Sequence, residues 1–235
     1  MSLSFEEETR PMSTTDQQAP ALNSLSPLQP PRRYLYGPGP SMVHPRVYEA
    51  LSKPIVGHLD PYFIQVMEDV QQLLKSVYGT NDGATLVISG TGSAGMEAAI
   101  ANFVEPGAKL AVFANGYFSD RLTEMAKRQG ADVVRFEKGW GEIFTDDEAR
   151  EFVRGERPNV VAYVQAETST GALQSGRAIC AAAHDAGALV IADCVTSLGG
   201  VPVEFDRTGI DVAYSCTQKG LSCPPGLSPM FLSPR

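Results

Sequence analysis

Three short stretches of this sequence place a chemically useful side chain or turn directly after an apolar segment. The first is the Gly-rich turn Ser89-Gly90-Thr91-Gly92-Ser93-Ala94-Gly95. The second contains Asp193, which ends the apolar run ALVIAD, and the third contains Lys219, which follows the run DVAYS. A turn of small residues that opens a helix suits a phosphate. A carboxylate can bind a cation or a protonated nitrogen, and a lysine can attack a carbonyl carbon.

The Gly-rich turn spells G-x-G-x-x-G, which is typical of dinucleotide sites. Such a site also needs an acid at the end of the next strand to hold a ribose, but that strand ends at Ala114-Asn115-Gly116. Thr91 and Ser93 add hydroxyl donors, which suit a single phosphate monoester better than a pyrophosphate. A Gly-rich turn without function is the structural alternative.

Asp193 and Lys219 each have more than one interpretation. Beside a phosphate turn, Asp193 could bind magnesium, hold a ribose, pair with a protonated heteroaromatic nitrogen, or simply cap the next segment. Most lysines are solvated surface charges, but Lys219 precedes Gly220 and the stiff Pro224-Pro225-Gly226. A phosphate turn, an acid for a ring nitrogen and a lysine for an aldehyde together match pyridoxal phosphate, which presents those three groups.

The elements that must position these residues alternate between strands and helices. A helix is expected over residues 61–78, with Asp60 as its N-cap and Gly79 as its end. Further helices are expected at 93–104, 118–129, after the capping box at Thr145, and at 177–186. Apolar runs predict strands at 85–89, 109–114, 132–136, 159–165, 188–192 and 211–215. This alternation indicates a mostly parallel sheet covered on both faces, with ligands at the carboxyl ends of its strands.

Composition excludes several classes of protein. The chain has 235 residues, of which 43% are hydrophobic, and this excludes a disordered chain. Its 19 basic and 27 acidic residues give a net charge of −8, which argues against a nucleic-acid surface. The apolar runs are too short to span a membrane, and the N-terminal sequence does not resemble a secretory signal. Four scattered cysteines predict free thiols in the cytoplasm, and with three scattered histidines they predict no metal site. Residues 1–30 are expected to form a disordered arm.

Taken together, these motifs resemble the class V aminotransferases of fold type I, and most closely the alanine–glyoxylate and serine–pyruvate (serine–glyoxylate) group. The resemblance covers about residues 34–235. It implies a three-layer α/β/α large domain over residues 31–235 that binds pyridoxal 5′-phosphate and is incomplete, with the C-terminal small domain missing. The matching stretches are Tyr36-Gly37-Pro38-Gly39-Pro40, the Gly-rich turn, Ala114-Asn115-Gly116-Tyr117-Phe118, Glu167-Thr168-Ser169-Thr170-Gly171, Asp193-Cys194-Val195-Thr196-Ser197-Leu198-Gly199-Gly200, and Gln218-Lys219-Gly220 with Pro224-Pro225-Gly226.

The resemblance also implies a role for each matched residue. Lys219 would be the Schiff-base lysine that also moves the substrate proton, and Asp193 would be the partner of the pyridinium nitrogen. Phosphate binding would fall to Thr91, Gly92, Ser93 and Gln218. Phe118 would stack on one face of the cofactor ring, and Val195 would pack on the other. The Thr168 hydroxyl would approach the ring 3-oxygen, and Gly39 would contact the substrate carboxylate.

Some of these residues also have ordinary structural interpretations, and two depart from the family pattern. Phe118 and Val195 could be core residues, and Thr168 alone could be a turn residue. Phe118 stands where relatives often have Trp. Gln218 stands where cysteine desulfurases usually carry His, which argues against that activity.

The resemblance implies transfer of an amino group from a small amino acid, alanine or serine, to glyoxylate or pyruvate. Another class V reaction, such as aminoethylphosphonate transamination or a lyase reaction, is one alternative. A fragment that binds the cofactor without turnover is a second, and a nucleotide-dependent oxidoreductase is a third, which Asn115 disfavours. The family forms its active sites at a homodimer interface. The resemblance also implies that the arginine that grips the substrate α-carboxylate would lie in the missing part of the protein, together with the small domain.

Overall fold

The computed structural model describes residues 26–235. Most of the predicted N-terminal arm therefore lies outside the described residues. Residues Tyr34–Arg235 form one compact unit.

The observed elements follow the predicted alternation closely. The helices are α1 (Pro45–Leu51), α2 (Pro61–Tyr78), α3 (Gly92–Phe103), α4 (Tyr117–Arg128), α5 (Asp146–Glu156), α6 (Arg177–Asp185) and α7 (Phe205–Thr208). The strands are β1 (Ala84–Ser89), β2 (Lys109–Ala114), β3 (Asp132–Glu137), β4 (Val160–Val164), β5 (Leu189–Asp193), β6 (Val212–Tyr214) and β7 (Leu227–Leu232). The expected caps are present, since Asp60 accepts from the Tyr62 N–H at 2.8 Å and Gly79 ends α2 in a left-handed conformation.

The seven strands form one sheet in the order β1-β7-β6-β5-β4-β2-β3. The pairs β2·β3, β2·β4, β4·β5 and β5·β6 are parallel, while β7 runs antiparallel to both of its neighbours. The prediction of a mostly parallel sheet is therefore confirmed. Strand β7 was not predicted because Pro229 interrupts its apolar run, and proline usually argues against a central strand.

Helices α1 and α7 were also not predicted. Helix α1 buries none of its residues, so its sequence has no amphipathic pattern to detect. Helix α7 has four residues, which is too short for a periodic signal.

Two apolar clusters cover the two faces of the sheet. One contains Phe113, Tyr163 and Ile179 and joins the sheet to α5 and α6. The other contains Ile100, Leu122 and Ile191 and joins it to α3 and α4. These clusters give the three layers expected from the sequence, and they leave the carboxyl ends of β1, β2, β4, β5 and β6 at one edge.

Three further features bear on the predictions from composition. Cys180, Cys194, Cys216 and Cys223 are all free, and the first three are buried. Among the helices of residues 26–235, none is both long and apolar enough to cross a membrane. Within the same residues, no group of three or more His, Cys, Asp or Glu side chains is arranged to hold a metal ion.

Candidate active site

Asp193 is a buried carboxylate at the carboxyl end of β5. Its side chain accepts a 2.9 Å hydrogen bond from the Val195 N–H on Oδ1 and a 2.8 Å bond from the Tyr214 hydroxyl on Oδ2. Burial raises the pKa of Asp193 to about 6, a shift that these two donors and the charge of Lys219 oppose and that Glu167 reinforces. The carboxylate is thus oriented by one donor on each oxygen and is mostly ionised at neutral pH. The bond to Val195 also gives it the capping contact considered as an alternative.

Lys219 lies in the loop after β6, against the Pro-Gly-Pro segment. Its Nζ donates a 2.8 Å hydrogen bond to the Pro38 carbonyl. Gly39 has a φ of +142°, and a Cβ at this position would lie 2.6 to 2.9 Å from three atoms of the Lys219 side chain. The Ser41 N–H donates to the Gln218 carbonyl at 2.8 Å, which fixes the two loops together. Only glycine allows this close approach.

Gly39 was predicted to contact the substrate carboxylate. In the structure it lies directly against the lysine side chain, so its first effect is on the position of Lys219. The contact with a substrate carboxylate stays a prediction.

The Gly-rich turn opens α3 as predicted. Thr91 is the N-cap, but no side chain among the described residues caps this helix end. A Cβ on Gly92 would come 2.8 Å from Val195 Cγ2, so the turn packs closely against the segment that follows Asp193. The helix N-terminus, with Ser93 in its first turn, therefore offers N–H groups and a favourable partial charge next to the carboxylate segment.

Gln218 contributes a buried polar atom to the same region. Its Oε1 has no hydrogen-bond partner within the described part of the chain. A 180° turn of the amide exchanges its oxygen for its NH₂ group, which can donate to a phosphate oxygen. The side chain is therefore suited to an anionic ligand.

Thr168 and Phe118 lie at the same edge of the sheet, formed by the carboxyl ends of its strands. Thr168 is in the loop after β4, and Phe118 is in the helix that follows β2. The hydroxyls of Thr168 and Thr196 are in direct contact, which joins the loop after β4 to the loop after β5. Phe118 is half-buried in the first turn of α4, and its N–H donates to Glu167 Oε2 at 3.1 Å. Val195 is buried, as the core interpretation also required.

The residues present fit pyridoxal phosphate. An uncapped helix N-terminus and the Gln218 amide suit the phosphate, the oriented Asp193 carboxylate suits a protonated ring nitrogen, and the Lys219 amine suits the aldehyde. The absence of Cβ atoms at Gly39 and Gly92 allows the loops to close around these groups.

The family model for Aminotransferase class-V matches residues 33–234. The chain belongs to the class-V aminotransferase family. Its similarity to mouse alanine–glyoxylate aminotransferase is 40% identity over 202 residues, which is 86% of this chain and 49% of the relative. The (S)-ureidoglycine–glyoxylate transaminase of Bacillus subtilis is 37% identical over 205 residues, which is 87% of this chain and 49% of the relative.

Solved structures give the same result. The alanine–glyoxylate aminotransferase structure from Nostoc sp. matches this chain with a TM-score of 0.87 and 49% identity, over 89% of this chain and 56% of that one. A cysteine desulfurase from Thermococcus onnurineus, at 17% identity and a TM-score of 0.67, shares the fold alone. The chain spans about half the length of the curated relatives it matches.

Two residues at the candidate site of this class-V family member were not predicted. Tyr214 holds Asp193, and Glu167 holds the start of α4. Glu167 lies inside a motif that the sequence singled out, yet only its neighbour Thr168 was assigned a role. Tyr214 lies within an apolar strand and gives no separate signal in the sequence.

Proposed function

We propose that the protein is an aminotransferase that depends on pyridoxal 5′-phosphate and moves the amino group of a small amino acid, alanine or serine, to glyoxylate or pyruvate. The observation that carries this proposal is the oriented Asp193 carboxylate within electrostatic reach of the Lys219 amine. Its similarity to glyoxylate-using relatives supports the acceptor.

The residues of this chain have distinct tasks in the proposed reaction. Thr91, Gly92, Ser93 and Gln218 bind the phosphate. When bound, pyridoxal phosphate supplies an electron sink for the negative charge that develops at the substrate Cα. Asp193 keeps the proton on the ring nitrogen, because its ionised form predominates above about pH 6.

Lys219 is the proposed proton carrier. Its amine would accept the proton from the substrate Cα and deliver it to the cofactor carbon C4′, before water releases the oxo acid and leaves the amino group on the cofactor. Before substrate arrives, the same amine would hold the cofactor aldehyde. Phe118 and Val195 orient the ring from its two faces, and the Thr168 hydroxyl approaches the ring 3-oxygen. Gly39 stays the proposed contact for the substrate carboxylate.

The full site is proposed to form in a homodimer located in the cytoplasm. Large apolar side chains that α2 and the segment before it leave exposed support the dimer, and four free cysteines fit a reducing compartment. Sedimentation of the purified protein tests the dimer, and a monomer at all concentrations would contradict it.

The activity is tested with the purified protein, added pyridoxal phosphate, glyoxylate and one donor at a time. Alanine and serine are the expected donors, measured as glycine formed. Aminoethylphosphonate and (S)-ureidoglycine are included because the first belongs to the alternative reaction and the second to the relative from Bacillus subtilis. Glycine formation from alanine or serine that is lost in Lys219→Ala supports the proposal. A protein that binds the cofactor but forms glycine only from the other two donors, or from none, contradicts it.

A further inference from the structure

At the start of helix α4, the Ser119 hydroxyl accepts from the Gly116 N–H at 3.1 Å and donates to the Gly116 carbonyl at 2.7 Å, but no side chain at the N-cap position is available for the N–H groups of Tyr117 and Phe118. The N-cap of α4 is Gly116, and a Cβ there would lie 2.3 Å from the Glu167 Cγ. The Glu167 side chain therefore occupies the place next to the helix start that an N-cap side chain would need. Glu167 itself is 1% exposed, which is rare for a glutamate unless its carboxylate is paired.

Both oxygens of Glu167 are used at this helix start. Oε2 accepts from the Phe118 N–H at 3.1 Å, while Oε1 accepts from the Ser169 N–H at 3.1 Å and from the Ser169 hydroxyl at 2.8 Å. The Ser169 Oγ in turn accepts from the Tyr117 N–H at 3.2 Å. The first two N–H groups of α4 are thus held by the loop after β4, which lies far away in sequence.

The same short loop also faces the Asp193 segment. Thr168, between Glu167 and Ser169, contacts the Thr196 hydroxyl. A helix start can be capped by any local Ser, Thr or Asp, so stability alone does not require a buried glutamate from the loop after β4. Because Glu167 and Ser169 hold the start of α4, they fix the position of Phe118 relative to the segments that follow β4 and β5.

We propose that Glu167 is a positioning residue that acts through Phe118: its carboxylate fixes the first turn of α4 and so holds the Phe118 ring where it stacks on the cofactor. This inference rests on the proposed function, since it needs a cofactor for the ring to stack on. It assigns to Glu167 no direct contact with substrate or cofactor.

The test is a double-mutant cycle on cofactor affinity. Pyridoxal phosphate is titrated into wild type, Glu167→Gln, Phe118→Ala and the double variant, and the visible absorption band of the lysine-linked cofactor is followed. Glu167→Gln places an amide against the Phe118 N–H, so we expect the Kd to rise roughly tenfold, the effect of losing one charged hydrogen bond. In the Phe118→Ala background the same change should alter the Kd by less than about twofold, because the two residues act as a unit.

A second readout reports ring orientation directly. The visible circular dichroism of the bound cofactor depends on its asymmetric surroundings, and we expect it to weaken in Glu167→Gln at saturating cofactor. The control is Thr145→Ala, which removes the N-cap of α5, where the Thr145 hydroxyl accepts from the Glu148 N–H. It should lower the thermal midpoint while leaving the Kd and the circular dichroism unchanged.

The outcomes separate this inference from the proposed function. Wild type that binds no pyridoxal phosphate overturns both. If wild type binds pyridoxal phosphate, two results overturn the positioning role alone. One is a wild-type Kd for Glu167→Gln, and the other is that Glu167→Gln raises the Kd by the same factor with and without Phe118. If Glu167→Gln does not fold, Ser169→Ala takes its place in the cycle. It removes the hydroxyl between Glu167 and the Tyr117 N–H, and it should raise the Kd only when Phe118 is present.

Discussion

Tyr214 and Asp193 are direct partners in the parallel pair of β6 and β5, and their side chains meet at the edge of the sheet. The Tyr214 hydroxyl is fully buried and donates a 2.8 Å hydrogen bond to Asp193 Oδ2. This bond lowers the pKa of Asp193, while burial raises it. The tyrosine thereby keeps a buried carboxylate ionised near neutral pH, the state that a protonated ring nitrogen needs.

Tyr214→Phe should destabilise the fold in a way that depends on pH. Loss of the hydroxyl donor raises the pKa of Asp193 further. The loss in the free energy of unfolding is therefore largest at the pH values at which the carboxylate is charged. We expect a loss of about 1–3 kcal/mol in the free energy of unfolding at pH 8, measured with urea, and a smaller loss below the range in which Asp193 titrates. Equal losses at both pH values would show that the bond to Asp193 does not matter.

The matched control is Tyr163→Phe in β4. The Tyr163 hydroxyl is also fully buried, but within residues 26–235 its polar neighbour is the neutral thiol of Cys180 rather than a carboxylate. Its removal should change the free energy of unfolding by less than about 1 kcal/mol, with no dependence on pH.

Asp193→Asn should make the protein without cofactor more stable, while removing the charge that is proposed to keep the ring nitrogen protonated. The pKa of Asp193 is raised from 3.8 to about 6 in the fold, so the stability that this group contributes is lost as pH rises through that range. An uncharged asparagine avoids this loss. The free energy of unfolding of the variant should therefore exceed that of wild type by up to about 3 kcal/mol at pH 8. Below the ordinary pKa of an aspartate, the two free energies should be equal. A less stable variant at pH 8, measured with the same denaturant series, would contradict the account.

Gly39→Ala should displace Lys219. The new Cβ would lie 2.6 Å from Lys219 Cδ at a φ of +142°, so both the loop and the lysine must move. We expect a stability loss of about 1–3 kcal/mol and weaker cofactor binding, followed by titration of the visible band. Gly37→Ala is the control because a Cβ there meets nothing within 4 Å. Similar behaviour of the two variants would count against the close approach of Gly39 and Lys219.

Gly95→Ala and Gly155→Ala should shift stability in opposite directions, although both residues lie in helices. A Cβ on Gly95 would come 2.1 Å from Ser228 Oγ and 2.9 Å from Tyr214 Cβ, which forces α3 away from β6 and β7. We expect a loss of about 1–3 kcal/mol from this overpacking. A Cβ on Gly155 meets nothing within 4 Å, so alanine should stabilise α5 by about 0.5–1 kcal/mol. Thermal unfolding of both variants measures the difference, and a neutral Gly95→Ala would refute the tight packing.

Most of the sheet could be predicted from the sequence because its strands are short apolar runs between capped helices. The same logic placed Asp193 and Lys219 at one edge, since both follow such runs. Strand β7 could not be predicted, because Pro229 interrupts its apolar run. Its pairing with β1 and β6 also depends on residues distant in sequence.

The site contacts that the sequence could not reveal are also distant ones. The bond from Lys219 to Pro38 joins residues far apart in the chain, and so does the bond from Phe118 to Glu167. Residue types indicated which chemistry was possible, whereas these contacts decide which side chains hold the reactive groups in place.

The most direct test of the account is the covalent attachment of the cofactor to Lys219. The purified protein is incubated with pyridoxal phosphate, reduced with sodium borohydride to make a lysine linkage permanent, digested, and analysed by peptide mass spectrometry. We expect a visible absorption band before reduction and the cofactor mass on the peptide that contains Lys219, with both absent in Lys219→Ala. A colourless protein, or a label on other lysines that persists in Lys219→Ala, would contradict it.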